Sequence, residues 1–193
     1  MENEQIELLK ITTSFLGENN IPYMITGAWS VIYYGRPRAS HDIDFIIEVE
    51  TEEISQTLKS FKKLPEDFLV QVRDIKEAIK KKSQFNILHL PTGLKLDFWL
   101  LTDDPFDKSR FSRRKKLEIL GQLMWMATPE DTILQKLRWY KEAKIEKHLV
   151  DAAFVYQIQK KNLDMKYLGN WVKELDVERY FKELDKIDLE EYF

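Results

Sequence analysis

Residues 23 to 47 read YMITGAWSVIYYGRPRASHDIDFII: a short apolar run, a glycine, an apolar stretch of helical length closed by Gly35, and an apolar strand with two aspartates. Side chains alternate along a strand, so Asp42 and Asp44 project from one face while Ile43, Phe45 and Ile47 project from the other. Charge on so apolar a strand is costly unless it is solvated, paired or bound to a cation. Upstream, a strand, Gly27 and a helix make a helix N-terminus whose free N–H groups and dipole suit a phosphate. Gly27 lets the backbone approach a ligand closely and Ala28 adds little bulk. Ser30 either donates a hydroxyl to that ligand or caps the turn.

The rest of the chain supplies the partners such a strand needs. Apolar spacing predicts a helix over 3–16, a strand at 23–26, a strand over 42–49, and helices over 51–63 and 71–82. Residues 85–101, FNILHLPTGLKLDFWLL, read as two strands around a Pro-Thr-Gly turn, and 116–128 as a hairpin, or a strand bulged at Gly121. After Thr128 the period becomes helical: Pro129 suits a first helical position, with Thr128 as cap and Glu130 and Asp131 in the first turn. Leu149, Ala152, Ala153 and Tyr156, then Leu168, Trp171, Val172 and Leu175, continue it. The expectation is an α+β fold: a mixed α/β core over 1–128 and a helical bundle over 129–193.

Asp97 lies on the face of its strand opposite Leu96 and Phe98. If that strand neighbours the one carrying Asp42 and Asp44, three carboxylates converge, and their repulsion raises at least one pKa unless a divalent cation neutralises them. The alternative is three solvated strand residues. The chain has no cysteine and only three histidines, none at a zinc-like spacing, so oxygen ligands point to Mg²⁺ or Mn²⁺ rather than Zn²⁺. Of the histidines, His41 reads as structural and His89 has no evident partner.

A net charge of −3 argues against a protein that coats nucleic acid through bulk charge. The run SRFSRRKKLE at 109–118 either touches an RNA acceptor or is a solvated surface stretch, and the overall charge favours the second. Arg36 and Arg38 precede the aspartates, where either contacts phosphate or lines a solvated loop. No apolar run is long enough to cross a bilayer, and the polar, acidic N-terminus is unlike a signal peptide. A cytoplasmic protein is therefore expected, and the absence of cysteine suits a reducing compartment.

Thr26-Gly27-Ala28, Asp42-Ile43-Asp44 and Asp97 together resemble the nucleotidyltransferase superfamily of the DNA polymerase β-like and minimal nucleotidyltransferases. TGAWSVIYYGRPRASHDIDFII is similar to the branch near the AbiEii-type toxin nucleotidyltransferases, as are TPEDTILQKLRWY and KHLVDAAFVY further on. The resemblance implies that Asp42, Asp44 and Asp97 hold Mg²⁺ and carry catalysis, and that Gly27 and Ala28 cradle the phosphates of an NTP. It further implies that Arg38 and Lys136 add positive charge, Lys136 being otherwise an ordinary solvated lysine, and that Asp151 orients that lysine or forms a plain salt bridge. Position 28 departs from the pattern, which has Gly or Ser there; Ser30 is the available substitute. The implied activity is transfer of NMP to an acceptor that is a protein side chain, an RNA end or a small hydroxylated molecule. The alternative is a nucleotide- or protein-binding module with little turnover, one half of a toxin–antitoxin pair with a protein partner.

Overall fold

The structure, a computed structural model, describes residues 2–192. The chain divides into two compact units, one formed by residues up to 28 with 40–126, the other by 29–39 with 127 onward.

The first unit is built on a seven-stranded mixed sheet. In chain order its elements are α1 (Glu2–Glu18), β1 (Tyr23–Ile25), the start of α2 (Gly27–Tyr34), β2 (Asp42–Ile47), α3 (Ile54–Phe61), β3 (Phe68–Leu69), α4 (Val72–Lys81), β4 (Gln84–His89), β5 (Leu94–Leu100), α5 (Pro105–Ser112), β6 (Lys115–Ile119) and β7 (Gln122–Met126). The strands lie in the order β3-β4-β5-β2-β1-β7-β6. β2 and β5 run parallel, as do β1 and β7, and the remaining pairs are antiparallel.

Alternation explains β5. Leu94, Leu96, Phe98 and Leu100 are buried, while Lys95, Asp97 and Trp99 occupy the other face. On the buried side Phe98 stacks on Phe45 of β2 and Phe85 of β4, with ring centroids 5.3 and 5.0 Å apart. Phe61 of α3 meets Phe85 and Phe98 edge-on. Full burial of each such ring is worth about 1.5–3 kcal/mol, so this cluster fixes the central strands.

Two elements go beyond the expected set. β3 is two residues long, too short for a period to register. α5 hides in the basic run: Asp104 caps it by accepting from the N–H groups of Phe106 and Asp107, and Pro105 follows at the first position. The expectation of a solvated run at 109–118 is corrected in part. Arg110 is buried and paired with Asp107 at 2.9 Å, and Arg114 lies over the Phe111 ring at 4.0 Å; only residues such as Lys115 and Lys116 are exposed. His41, expected to be structural, is exposed just before β2, and His89 finds Thr92 at 2.8 Å and the ring of Phe68.

The second unit is helical: α6 (Pro129–Ala143), α7 (Glu146–Gln159), α8 (Met165–Glu174) and α9 (Glu178–Phe181). Thr128 caps α6 by accepting from Asp131 N–H at 3.2 Å. Lys144, in the left-handed region at φ 56°, ends it. Residues 29–39, expected with the N-terminal portion, group with these helices because the segment is fastened along α7. Gln159 donates to the Tyr34 carbonyl at 2.8 Å, the Arg36 guanidinium lies 4.2 Å from the Phe154 ring centre, and Arg38 pairs with Asp151. Residues 151, 154 and 159 fall on one helical face, which is why one helix can bind so long a stretch. Among the described residues no helix is long and apolar enough to cross a membrane.

Candidate active site

The neighbouring strands that the carboxylates require are present. β2 and β5 pair in parallel with Asp44 opposite Asp97 and Asp42 opposite Lys95. Residues in register share a sheet face, and adjacent strands are about 4.8 Å apart, so all three carboxylates belong to one face of the first unit. Burial pushes the Asp97 carboxyl above the usual carboxylate range and the negative charge of Asp42 adds to this, while Lys95, its Nζ 3.9 Å from Asp97 Oδ2, pulls the other way. Ser40, buried just ahead of β2, donates through Oγ to Asp42 Oδ1 at 2.8 Å. That contact orients the first aspartate.

Gly27 stands at the junction of β1 and α2 with φ 63°. A Cβ built there would lie 1.9 Å from Asp44 Oδ2 and 2.6 Å from its Cγ. The glycine therefore leaves room for the Asp44 carboxylate beside the N-terminus of α2, in addition to allowing the left-handed backbone. The same corner is tied through the main chain, where Thr26 N–H donates to the Asp44 carbonyl at 3.0 Å. Ala28 is buried and offers no hydroxyl. Ser30 belongs to the second unit and is fully buried, so its side chain does not face solvent.

Three carboxylates on one face are, in their chemistry, the oxygen donors a hard divalent cation takes. Their side chains are not already drawn together: among the described residues no three Asp, Glu, His or Cys side chains form a group that could hold a metal.

The second unit contains a buried ionic cluster of its own. Asp151 is fully buried and receives a forked pair from Arg38, Nε to Oδ1 at 3.1 Å and Nη2 to Oδ2 at 2.9 Å. Lys136 Nζ lies 2.9 Å from the same Oδ2 and is only 4 % exposed, so it is not a solvated helix lysine. His148, one turn before Asp151, packs on Trp139 with centroids 5.3 Å apart. Burial, and next the charge of Lys136, push its pKa down to about 4, so the ring is neutral at pH 7.

Thus Gly27, Ala28, Asp42, Asp44 and Asp97 lie in the first unit, and Ser30, Arg38 and Lys136 in the second. The sequence gives Ser40 a place in the family pattern but no role, and it does not show the steric tie between Gly27 and Asp44. A serine two residues before an Asp-x-Asp was the available signal for the first; nothing local pointed to the second, because the two residues meet only once β1 and β2 are paired.

The sequence matches the model of the family described as nucleotidyl transferase AbiEii toxin, type IV TA system, over residues 26–190. No curated protein matches. Among solved structures, the antibiotic-resistance factor ANT(2'')-Ia aligns with TM-score 0.58 and 15% identity over 91% of this chain and 90% of that one. An antigenic nucleotidyltransferase-like protein from Paracoccidioides brasiliensis gives 0.52 and 18% over 91% of each chain. The lincosamide antibiotic adenylyltransferase LnuA gives 0.51 and 15% over 82% of this chain and 98% of that one. These likenesses establish a shared nucleotidyltransferase-type fold. With the family model spanning residues 26–190, the chain belongs to the AbiEii family of nucleotidyltransferase toxins of type IV toxin–antitoxin systems.

Proposed function

We propose that the carboxylate face of the first unit binds an NTP with Mg²⁺ or Mn²⁺ and transfers NMP to an acceptor hydroxyl. The observation that carries this reading is the alignment of Asp44 with Asp97 on adjacent parallel strands, with Asp42 on the same face and Gly27 at the helix N-terminus beside Asp44. The acceptor oxygen forms a bond to the α-phosphorus, the bond to the β-phosphate oxygen breaks, and pyrophosphate leaves. Asp97 takes the hydroxyl proton. Asp42 and Asp44, with Asp97, would hold the cation, which when bound supplies charge neutralisation for the attacking and leaving oxygens. Gly27 and the α2 N-terminus receive phosphate, and Ser40 holds Asp42 in orientation. ANT(2'')-Ia has been solved with adenylyl-2''-tobramycin, and NMP transfer to a hydroxyl is the matching chemistry here.

The second reading, a binding component with little turnover, is favoured by Ala28, which departs from the Gly or Ser of the family pattern. Titration of each labelled NTP into the protein with Mg²⁺, with EDTA, and into Asp44→Asn, with pyrophosphate release measured alongside, separates the two. Metal-dependent binding and pyrophosphate release, both lost in the variant, support the transferase; a folded protein that binds NTP without releasing pyrophosphate, or binds none, supports the binding component.

A further inference from the structure

β6 is the last strand of the sheet, with β7 as its neighbour on one side. Lys115, Lys116 and Glu118 are exposed and Leu117 is half-buried, so the outer edge is open to solvent. The hairpin fixes which main-chain groups point outward. Leu120 and Gly121, at φ 53° and 79°, form a two-residue turn closed by Ile119 and Gln122. The closing pair of such a turn is hydrogen-bonded, and bonded and non-bonded pairs alternate along an antiparallel ladder. Ile119, Leu117 and Lys115 therefore turn their N–H and C=O groups towards β7, whereas those of Lys116 and Glu118 point away from the sheet. Lys116 and Glu118 also share a sheet face, and among the described residues neither joins an ion pair.

An open edge is a template for another strand. When two copies of β6 pair antiparallel, outward-facing residues must meet outward-facing residues, which leaves three registers. Lys116 opposite Lys116, or Glu118 opposite Glu118, sets like charges face to face. The third register sets Lys116 opposite Glu118 of the second copy, twice, across a two-fold axis at Leu117. We propose that β6 pairs with β6 of a second copy in this register, joining the two sheets edge to edge, independently of the transferase reading. Each Lys116–Glu118 pair exchanges two main-chain hydrogen bonds, and Cα atoms about 5.5 Å apart put ammonium beside carboxylate. The Leu117 side chains meet at the axis, where a non-bonded pair brings Cα atoms to about 4.5 Å. On β7 the residue opposite Lys116 is Trp125, with the ammonium 6.0 Å from its ring centre, so Lys116 is placed between that ring and the second copy's carboxylate.

The edge reads Lys-Leu-Glu, which is complementary to itself when reversed, and this favours a second copy over an unrelated strand. Lysines on an edge ordinarily deter pairing; the glutamate at the matching position turns deterrence into selectivity. The contact is isologous, so it closes with two copies and does not grow into a fibre. Two bonded pairs and one apolar contact are less than a standard interface, so the dimer is weak and depends on protein concentration.

The test is sedimentation velocity over a concentration series, at low and high salt, on the wild type, Lys116→Glu, Glu118→Lys and Lys116→Glu/Glu118→Lys. All four are first checked for wild-type melting. The wild type is expected to dimerise reversibly. Each single reversal sets like charges opposite one another in both pairs and weakens dimerisation about ten-fold or more at low salt, less at high salt. The double reversal restores it. An equimolar mixture of the two single variants forms a mixed dimer, because one presents two glutamates and the other two lysines. Hydrogen exchange locates the contact: the Lys116 and Glu118 amides of the wild type slow as its concentration rises. A wild type that stays monomeric leaves the edge to a strand from another protein, and overturns the proposal. A dimer that ignores both single reversals, or whose Lys116 and Glu118 amides exchange as in the monomer, overturns it too.

Discussion

Oδ2 of Asp44 occupies the space a side chain at position 27 would take: a Cβ on Gly27 would stand 1.9 Å from it. One residue of the proposed metal-binding pair is thus seated against the glycine that opens α2. Gly27→Ala meets two penalties, the left-handed φ of 63° and this collision. The expected loss is about 2–3 kcal/mol in urea unfolding. A second substitution, Asp44→Gly, removes the collision and not the backbone strain, so Gly27→Ala/Asp44→Gly recovers only part of it. A Gly27→Ala variant as stable as the wild type contradicts this geometry.

Asp97 carries its own stability cost. Its carboxyl is held above the usual range by burial first and then by Asp42. Its folded state therefore favours the neutral form, and stability falls as pH rises through the folded pKa. At neutral pH, Asp97→Asn is expected to melt higher than the wild type, with the gap closing in acid. The same variant is inactive if Asp97 is the base. Melting curves at pH 4 and pH 7, without metal, decide it; a lower melting point at pH 7 counts against the assignment.

Asp151 balances buried cations. Its carboxylate accepts from both Arg38 and Lys136 and is itself inaccessible. Asp151→Ala is expected to cost about 3–5 kcal/mol, because breaking a buried pair strands charge. Arg38→Lys is also damaging, since an ammonium cannot make the fork with Oδ1 and Oδ2. Chemical denaturation of the two variants measures this. Hydrogen exchange in 34–39 rises in both, because Arg38 is one of the fastenings of that segment to α7.

His148 makes the second unit sensitive to acid. The unfolded histidine titrates near 6.5, whereas the folded one does so at about 4. Between those values the unfolded chain binds the extra proton, so stability falls as pH drops from 6.5 towards 4 and is unaffected above 6.5. Allowing for its partial exposure, the loss is about 1–2 kcal/mol. His148→Gln removes that part of the acid limb. A variant whose urea midpoint falls as steeply as the wild type's over this window refutes the assignment.

The local elements were legible because their signals are local. Alternation around Pro91-Thr92-Gly93 marks β4 and β5, Thr128-Pro129-Glu130 marks the start of α6, and Asp42-Ile43-Asp44 puts two carboxylates on one strand face whatever that strand pairs with. β3 was invisible at two residues, and α5 was overlooked because Arg110 and the basic residues that follow the helix read as surface charge. The burial of Arg110 depends on Asp107 and on packing that no window of sequence displays.

The sequence by itself determined which residues share a face, because side-chain direction follows from the strand and helix repeats. Only the tertiary structure decided which faces meet. β2 lies beside β5 rather than another strand, with Asp44 opposite Asp97 and not shifted by a residue, because the stacked rings of Phe45, Phe98 and Phe85 hold that register. Lys136 is buried on Asp151, and residues 29–39 belong with α7 rather than with the sheet that precedes and follows them. These arrangements join residues up to 125 positions apart in sequence, as Tyr34 and Gln159 are. They rest on burial and charge pairing that exist only once the chain has folded.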